Sequence, residues 1–153
     1  MSRLAYPTGA VALLCLVPVS TAAAQPDAGN VGTAVQVVIH KSYAEIPESD
    51  QCTGAGSLAA VRRGSSVVLS EASGSADAPK VAVGQFFRSR VKDGTCQVMY
   101  ITAAPVRPAF NVAFVGPEGV PSSTFGPSPS EPVTDQSGIA QLIRVDMAFG
   151  PQP

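Results

Sequence analysis

Apolar and polar residues alternate with a period of two in several short runs, and the clearest run is interrupted at its middle by Asp93-Gly94. An Asp-Gly dipeptide between alternating segments predicts a two-residue β-hairpin loop, here joining strands within Val81 to Ala103. With Asp93 and Gly94 as the loop, Lys92 stands opposite Thr95, Val91 opposite Cys96, Ser89 opposite Val98 and Phe87 opposite Tyr100. Opposite residues share a face, so Val81, Val83, Phe87, Val91, Cys96, Val98 and Tyr100 form the expected core face. Arg88, Arg90, Lys92, Thr95 and Gln97 take the other face near the turn, and Phe86, Met99 and Ile101 continue it further away. A register slipped by one residue would bury Arg88 and Arg90, at a cost on the order of several kcal/mol.

Other segments repeat the pattern more weakly. Thr33 to His40 places Val35, Val37 and Ile39 on one side and Gln36 on the other. Ser66 to Glu71 carries the β-favouring Val67, Val68 and Leu69, and Phe110 to Val115 is another strand candidate. Ile139 to Ile143 would fit a helical turn, while Ile143, Val145, Met147 and Phe149 alternate with Arg144 and Asp146, and the expectation is a short turn followed by a closing strand. Between these lie an exposed acidic loop from Glu45 to Asp50 and a loop from Ala72 to Pro79. The proline-rich stretch Gly116 to Pro132 reads as a turn-rich connection unsuited to a central strand. Short strands punctuated by turn signals predict an all-β domain over 33–150: a small β-sandwich, or a partly open barrel, of about six or seven antiparallel strands.

Composition narrows the setting. A chain of 153 residues with 14% charged residues, 14 Gly and 14 Pro fits one small domain. A net charge of −1 supplies no bulk field for nucleic acid or an anionic membrane. Residues 1–24 read as a cleaved secretory signal, with Arg3 before an apolar run from Ala10 to Val19 and a processing site at Ala22-Ala23-Ala24. Residues 25–32 then form an expected mobile lead. The apolar run is short for a membrane span and no later stretch approaches one, so the mature chain is expected to carry no transmembrane segment. Cys15 departs with the signal, and Leu14 directly before it argues against a lipid-acceptor site. Cys52 and Cys96 remain, an even pair that predicts one disulfide in an oxidising compartment.

Candidate chemistry is sparse. Gly54-Ala55-Gly56-Ser57-Leu58-Ala59 matches G-x-G-x-x-A, but an acidic loop precedes it and Arg62-Arg63-Gly64 breaks the segment beyond it, so the strand and helix of a dinucleotide site are missing. Ser89-Arg90-Val91-Lys92 matches S-x-x-K, yet on a strand its Ser and Lys point to opposite faces. His40 is the single histidine, which removes triads and multi-histidine metal sites. Glu45, Glu48 and Asp50 lack calcium-loop spacing. No catalytic residue, metal ligand or cofactor is assigned from these motifs.

The pattern Asp50-Gln51-Cys52-Thr53-Gly54, Gly64, Val67-Val68, Asp93-Gly94-Thr95-Cys96, Phe110 to Phe114 and Arg144-Val145-Asp146-Met147 resembles small secreted proteins and lipoproteins of actinobacteria. These are two-cysteine, mostly β domains, and the resemblance implies the disulfide and a cell-envelope address without implying catalytic residues. The lipid-acceptor cysteine of many such proteins has no counterpart here.

The leading expectation is a secreted, non-enzymatic module that binds an envelope component or an extracellular protein. Its candidate contact residues are Arg88, Arg90 and Lys92 with Phe86, Met99 and Ile101, where charge and apolar area lie side by side. Such a face would complement an anionic amphiphile or a protein surface with an acidic rim and an apolar centre. The plainer reading is that the N-terminal or closing strand covers the apolar part and leaves an ordinary charged end. Alternatives are a protease inhibitor that presents the proline-rich loop 121–132, and a small hydrolase for which the sequence offers no support.

Overall fold

The computed structural model describes residues 29–73, 75, 77–120 and 122–147. Among these the chain forms nine strands: β1 (Asn30–Ile39), β2 (Tyr43–Glu45), β3 (Cys52–Gly54), β4 (Ser66–Glu71), β5 (Lys80–Lys92), β6 (Thr95–Pro105), β7 (Ala109–Val115), β8 (Ser123–Pro132) and β9 (Gln141–Met147). The expected signal, the first part of the lead and Phe149 lie outside the described residues. β1 begins at Asn30, so residues 30–32, expected in the lead, pair with Ala103, Ala104 and Pro105.

Seven strands close into a barrel in the order β1-β6-β5-β4-β7-β8-β9, while β2 and β3 form a separate two-stranded ribbon. Of the two architectures expected, the chain adopts the barrel, and it is closed rather than partly open. Strand directions cannot alternate all the way round a ring with an odd number of members. The seam is accordingly parallel, between β1 and β9, and all other neighbours are antiparallel. Gln141 ties the seam at one rim: its amide donates to Thr33 Oγ1 (2.8 Å) and the Pro105 carbonyl (3.0 Å) and accepts from Ser130 Oγ (2.9 Å).

The period-two expectation holds through most of the interior. Val35, Val37, Ile39, Val67, Leu69, Val98, Tyr100, Phe110, Val112, Phe114 and Ile143 are all buried, as are Cys96 and Val145. Cys52 and Cys96 are joined by a disulfide with Cα atoms 5.7 Å apart, anchoring the ribbon to β6.

Two expectations are corrected. In β5 the register runs as predicted from Lys92 to Arg88, and then a β-bulge inserts one residue, so that Phe86 rather than Phe87 faces Tyr100. Two successive phenylalanines cannot both point inward from a regular strand, and the bulge turns Phe86 to the core while Phe87 and Arg88 both stay outside. Phe87 and Val83, both expected in the core, are each 56% exposed. Phe86, expected outside, packs on the core edge-on to Tyr100 with ring centroids 6.0 Å apart. The next inward place belongs to Gly84, where a Cβ would meet Val67 Cγ1 at 2.7 Å.

The second correction is β8, where a proline-rich loop was expected. The Ser130 N–H donates to the Pro108 carbonyl at 2.9 Å, towards β7. Pro127 and Pro129, three residues and one residue earlier, present their nitrogens to the opposite edge, where β9 begins to pair only at Ser130. The missing donors therefore fall where no ladder needs them.

Tyr100 sits inside the barrel with its hydroxyl 2.7 Å from Ser65 Oγ, and Ser65 donates to the Arg62 carbonyl at 2.5 Å. Burial pushes the Tyr100 phenol above its ordinary pKa of 10.0, and the Ser65 and Arg62 hydrogen bonds only partly oppose it. A raised folded-state value means the neutral phenol is favoured by folding; this contribution is fully present below the unfolded pKa and is lost as pH rises through the folded one. As pH rises above about 10, unfolding midpoints in urea should fall more steeply for the native chain than for Tyr100→Phe, which costs about 1 kcal/mol at neutral pH through the lost hydrogen bond. Equal alkaline slopes would remove Tyr100 from this role.

Candidate functional site

The type I′ turn at Asp93 and Gly94, with φ of 51° and 71°, fixes the hairpin register near its tip. That register aligns the outer face across four strands. Arg88, Met99, Gln36 and Arg144 form one cross-strand row, and Ile101, Ala34 and Leu142 form the next. The first row mixes charge with apolar area, whereas the second is an apolar floor.

The loop between β8 and β9 walls this floor on the far side. It is closed by Val133 N–H to the Ala140 carbonyl (2.9 Å) and pinned to β1 by Ala140 N–H to the Gly32 carbonyl (2.8 Å). Gly32 permits the approach, since a Cβ there would stand 2.2 Å from the Gly138 carbonyl oxygen. Within the loop, Asp135 accepts from the Ser137 hydroxyl and, at 2.9 Å, from the Ser137 N–H. These hydrogen bonds hold the exposed Asp135 carboxyl below its usual value.

Between loop and bulge lies a cleft of about 360 Å³. Ala34, only 4% exposed, is its floor together with Met99, Ile101 and Leu142; Val133 and Ile139 form one wall, and Phe87 and Arg88 the other. The Arg88 guanidinium carbon lies 5.6 Å from the centroid of the Phe87 ring, within cation–π range.

A second opening of about 490 Å³ lies across the bulge. β4 pairs with β5 only as far as Gln85, and the wall between the far half of β5 and the turn before β4 is left open. Gln51, Arg63, Ser65, Gln85, Arg88 and Ser89 line this groove. Phe87 and Arg88 border both openings, so the bulge is the ridge between them.

Of the residues singled out from sequence, Arg88, Met99 and Ile101 meet in the cleft. Arg90 lies one row towards the turn and reaches Gln97 Oε1 at 3.4 Å, Lys92 lies at the hairpin tip, and Phe86 belongs to the core. β1 does not cover the apolar part: it pairs edge to edge with β6, as β9 does with β1. Sequence reasoning missed Phe87, Ala34, Leu142, Ile139 and Arg63; the Phe86-Phe87 pair was the one local hint of a bulge.

The short motifs resolve into structural roles. Gly54 ends β3 and Gly56 opens a 3-10 turn over Gly56–Leu58. Ser89 is buried and its hydroxyl accepts the Cys52 N–H at 3.3 Å, while Lys92 is exposed. His40 Nε2 lies 3.0 Å from Asp146 Oδ1. Among the described residues, no three His, Cys, Asp or Glu side chains are placed to hold a metal ion. A depression of about 550 Å³ on the opposite wall, over β4, β7 and β8, is lined chiefly by small and hydroxyl side chains with Lys80 at its margin.

Comparison with family models, curated proteins and solved structures found no match for the chain. Fold and surface thus define the class by themselves: a disulfide-stapled, seven-stranded closed β-barrel with an apolar cleft on its outer wall. Among the described residues, no helix is long and apolar enough to cross a membrane.

Proposed function

We propose that the chain is a secreted, non-enzymatic binding module of the extracellular space or cell envelope, and that it contacts its ligand through the outer face of the β5–β6 hairpin. The observation that carries this reading is the cleft beside Arg88, where an apolar floor and uncompensated cations adjoin. Neither ion pair among the described residues uses Arg63, Arg88, Arg90, Lys92 or Arg144. The disulfide suits an oxidising compartment, and the resemblance to two-cysteine actinobacterial proteins supports the same address. The inhibitor reading loses its motive, because Ser123–Pro132 is a barrel strand rather than a presented loop.

The test is charge reversal of Arg88 and Arg90 together. Co-sedimentation of the double variant with the native envelope fraction is expected to fall about tenfold, equivalent to ~1.4 kcal/mol, when measured at low salt where exposed charges act most strongly. Unchanged association would remove the hairpin face as the contact surface. Turnover in a hydrolase screen that a single substitution abolishes would overturn the non-enzymatic assignment.

A further inference from the structure

We infer that the openings on either side of the Phe87-Arg88 ridge form one bipartite site for a monomeric, single-chain amphiphile with an oxyanion head: the alkyl chain lies in the cleft and the head meets Arg88 and Arg63. This rests on the reading that the outer face is the contact surface, and adds the ligand's chemistry and orientation.

The tail half follows from the lining. Ala34 supplies a low floor, Ile101 and Leu142 flank it, and Met99 adds an unbranched side chain that adapts to a flexible partner. A volume of about 360 Å³ lies at the small end of the ligand-pocket range, roughly 300–1,000 Å³. It suits one chain rather than the paired chains of a bilayer lipid. The loop wall at Val133 and Ile139, pinned to β1 at Gly32, encloses the chain on one side, which a flat membrane-contact surface would not do.

The head half follows from charge. Arg63 and Arg88 line the groove beyond the ridge, together with the hydrogen-bonding side chains of Gln51, Gln85 and Ser89. Guanidinium groups hold carboxylates and phosphates through paired N–H donors. Asp135 stands on the loop side of the cleft, across β6 and β1 from the ridge, and repels an anion there. The ligand is thereby oriented: head at Arg88, tail towards the loop.

Calorimetric titration of the disulfide-bonded chain with probes kept below their micelle-forming concentration tests this. Dodecanoate and dodecyl phosphate are expected to bind one per chain, with dodecyl maltoside about tenfold weaker and no heat from inorganic phosphate or phosphatidylglycerol vesicles. Arg63→Gln with Arg88→Gln should weaken both anionic probes about tenfold and the neutral one by less than about twofold, since Arg88 also walls the cleft. Phe87→Ser, at a position 56% exposed, should weaken all three chain-bearing probes. Equal affinity for the neutral probe, binding to vesicles in place of monomers, or unaltered binding by variants with native unfolding midpoints would each overturn the inference. If no probe binds while the Arg88 and Arg90 reversal still lowers envelope association, the ligand class fails and the contact surface stands.

Discussion

Replacing Cys52 and Cys96 together with alanine is expected to lower the unfolding free energy by about 4 kcal/mol, the chain-entropy value for closing a loop over a separation of 44 residues. The effect has a local component as well. The ribbon of β2 and β3 is not part of the barrel, and its other ties there are thin: Tyr43 Oη to the Gly94 carbonyl (3.2 Å), Val91 N–H to the Asp50 carbonyl (2.6 Å) and Cys52 N–H to Ser89 Oγ (3.3 Å). Without the disulfide, the ribbon should open before the barrel does. Urea unfolding should show the lower midpoint, and limited proteolysis should cut first between Tyr43 and Gly54. A midpoint within about 0.5 kcal/mol of the native one would mean that these hydrogen bonds suffice and the covalent tie is redundant.

Phe114→Ala is expected to cost about 3–5 kcal/mol, the range for removing a fully buried aromatic side chain. Phe114 has no exposed surface and joins two neighbours, with ring centroids 5.2 Å from Tyr100 and 5.6 Å from Phe125. These three side chains come from β6, β7 and β8, so the cavity would open between strands on different sides of the barrel. β7, which carries Phe114, is held by ladders to both β4 and β8, which limits how far the wall can collapse around the cavity. Phe114→Leu retains most of the volume and should cost less than about 1.5 kcal/mol. Comparable losses for the two variants would show that ring contacts, rather than volume, dominate at this position.

The features that could be read from the sequence were those that local spacing determines. Asp93-Gly94 fixed the turn, and the period of two carried the register correctly from Lys92 as far as Arg88. It failed at Phe86-Phe87, where two equal side chains compete for one inward place and nothing local says which wins. Three of the six proposed contact residues, Arg88, Met99 and Ile101, were legible because they follow that register. The rest of the cleft was not. Ala34 and Leu142 arrive through the seam between β1 and β9, whose paired segments, Thr33–Ile39 and Gln141–Met147, are more than a hundred residues apart. The proline strand was missed for a related reason: proline excludes a strand only where both edges need its N–H, and which edge β8 leaves unpaired depends on neighbours far along the chain.

The parallel seam also sets the polarity of the whole molecule. Because β1 and β9 run the same way, the chain enters at the rim that carries Gln141 and the loop 133–140, and leaves β9 at the rim that carries the hairpin turn and the disulfide. Those points are roughly 20 Å apart along the seam at about 3.3 Å per residue. A leash attached ahead of β1 would therefore present the hairpin tip outward and hold the cleft side-on, midway between anchor and surroundings. Joining Met147 directly to Asn30 in a permuted chain would need a linker that climbs the full height of the wall.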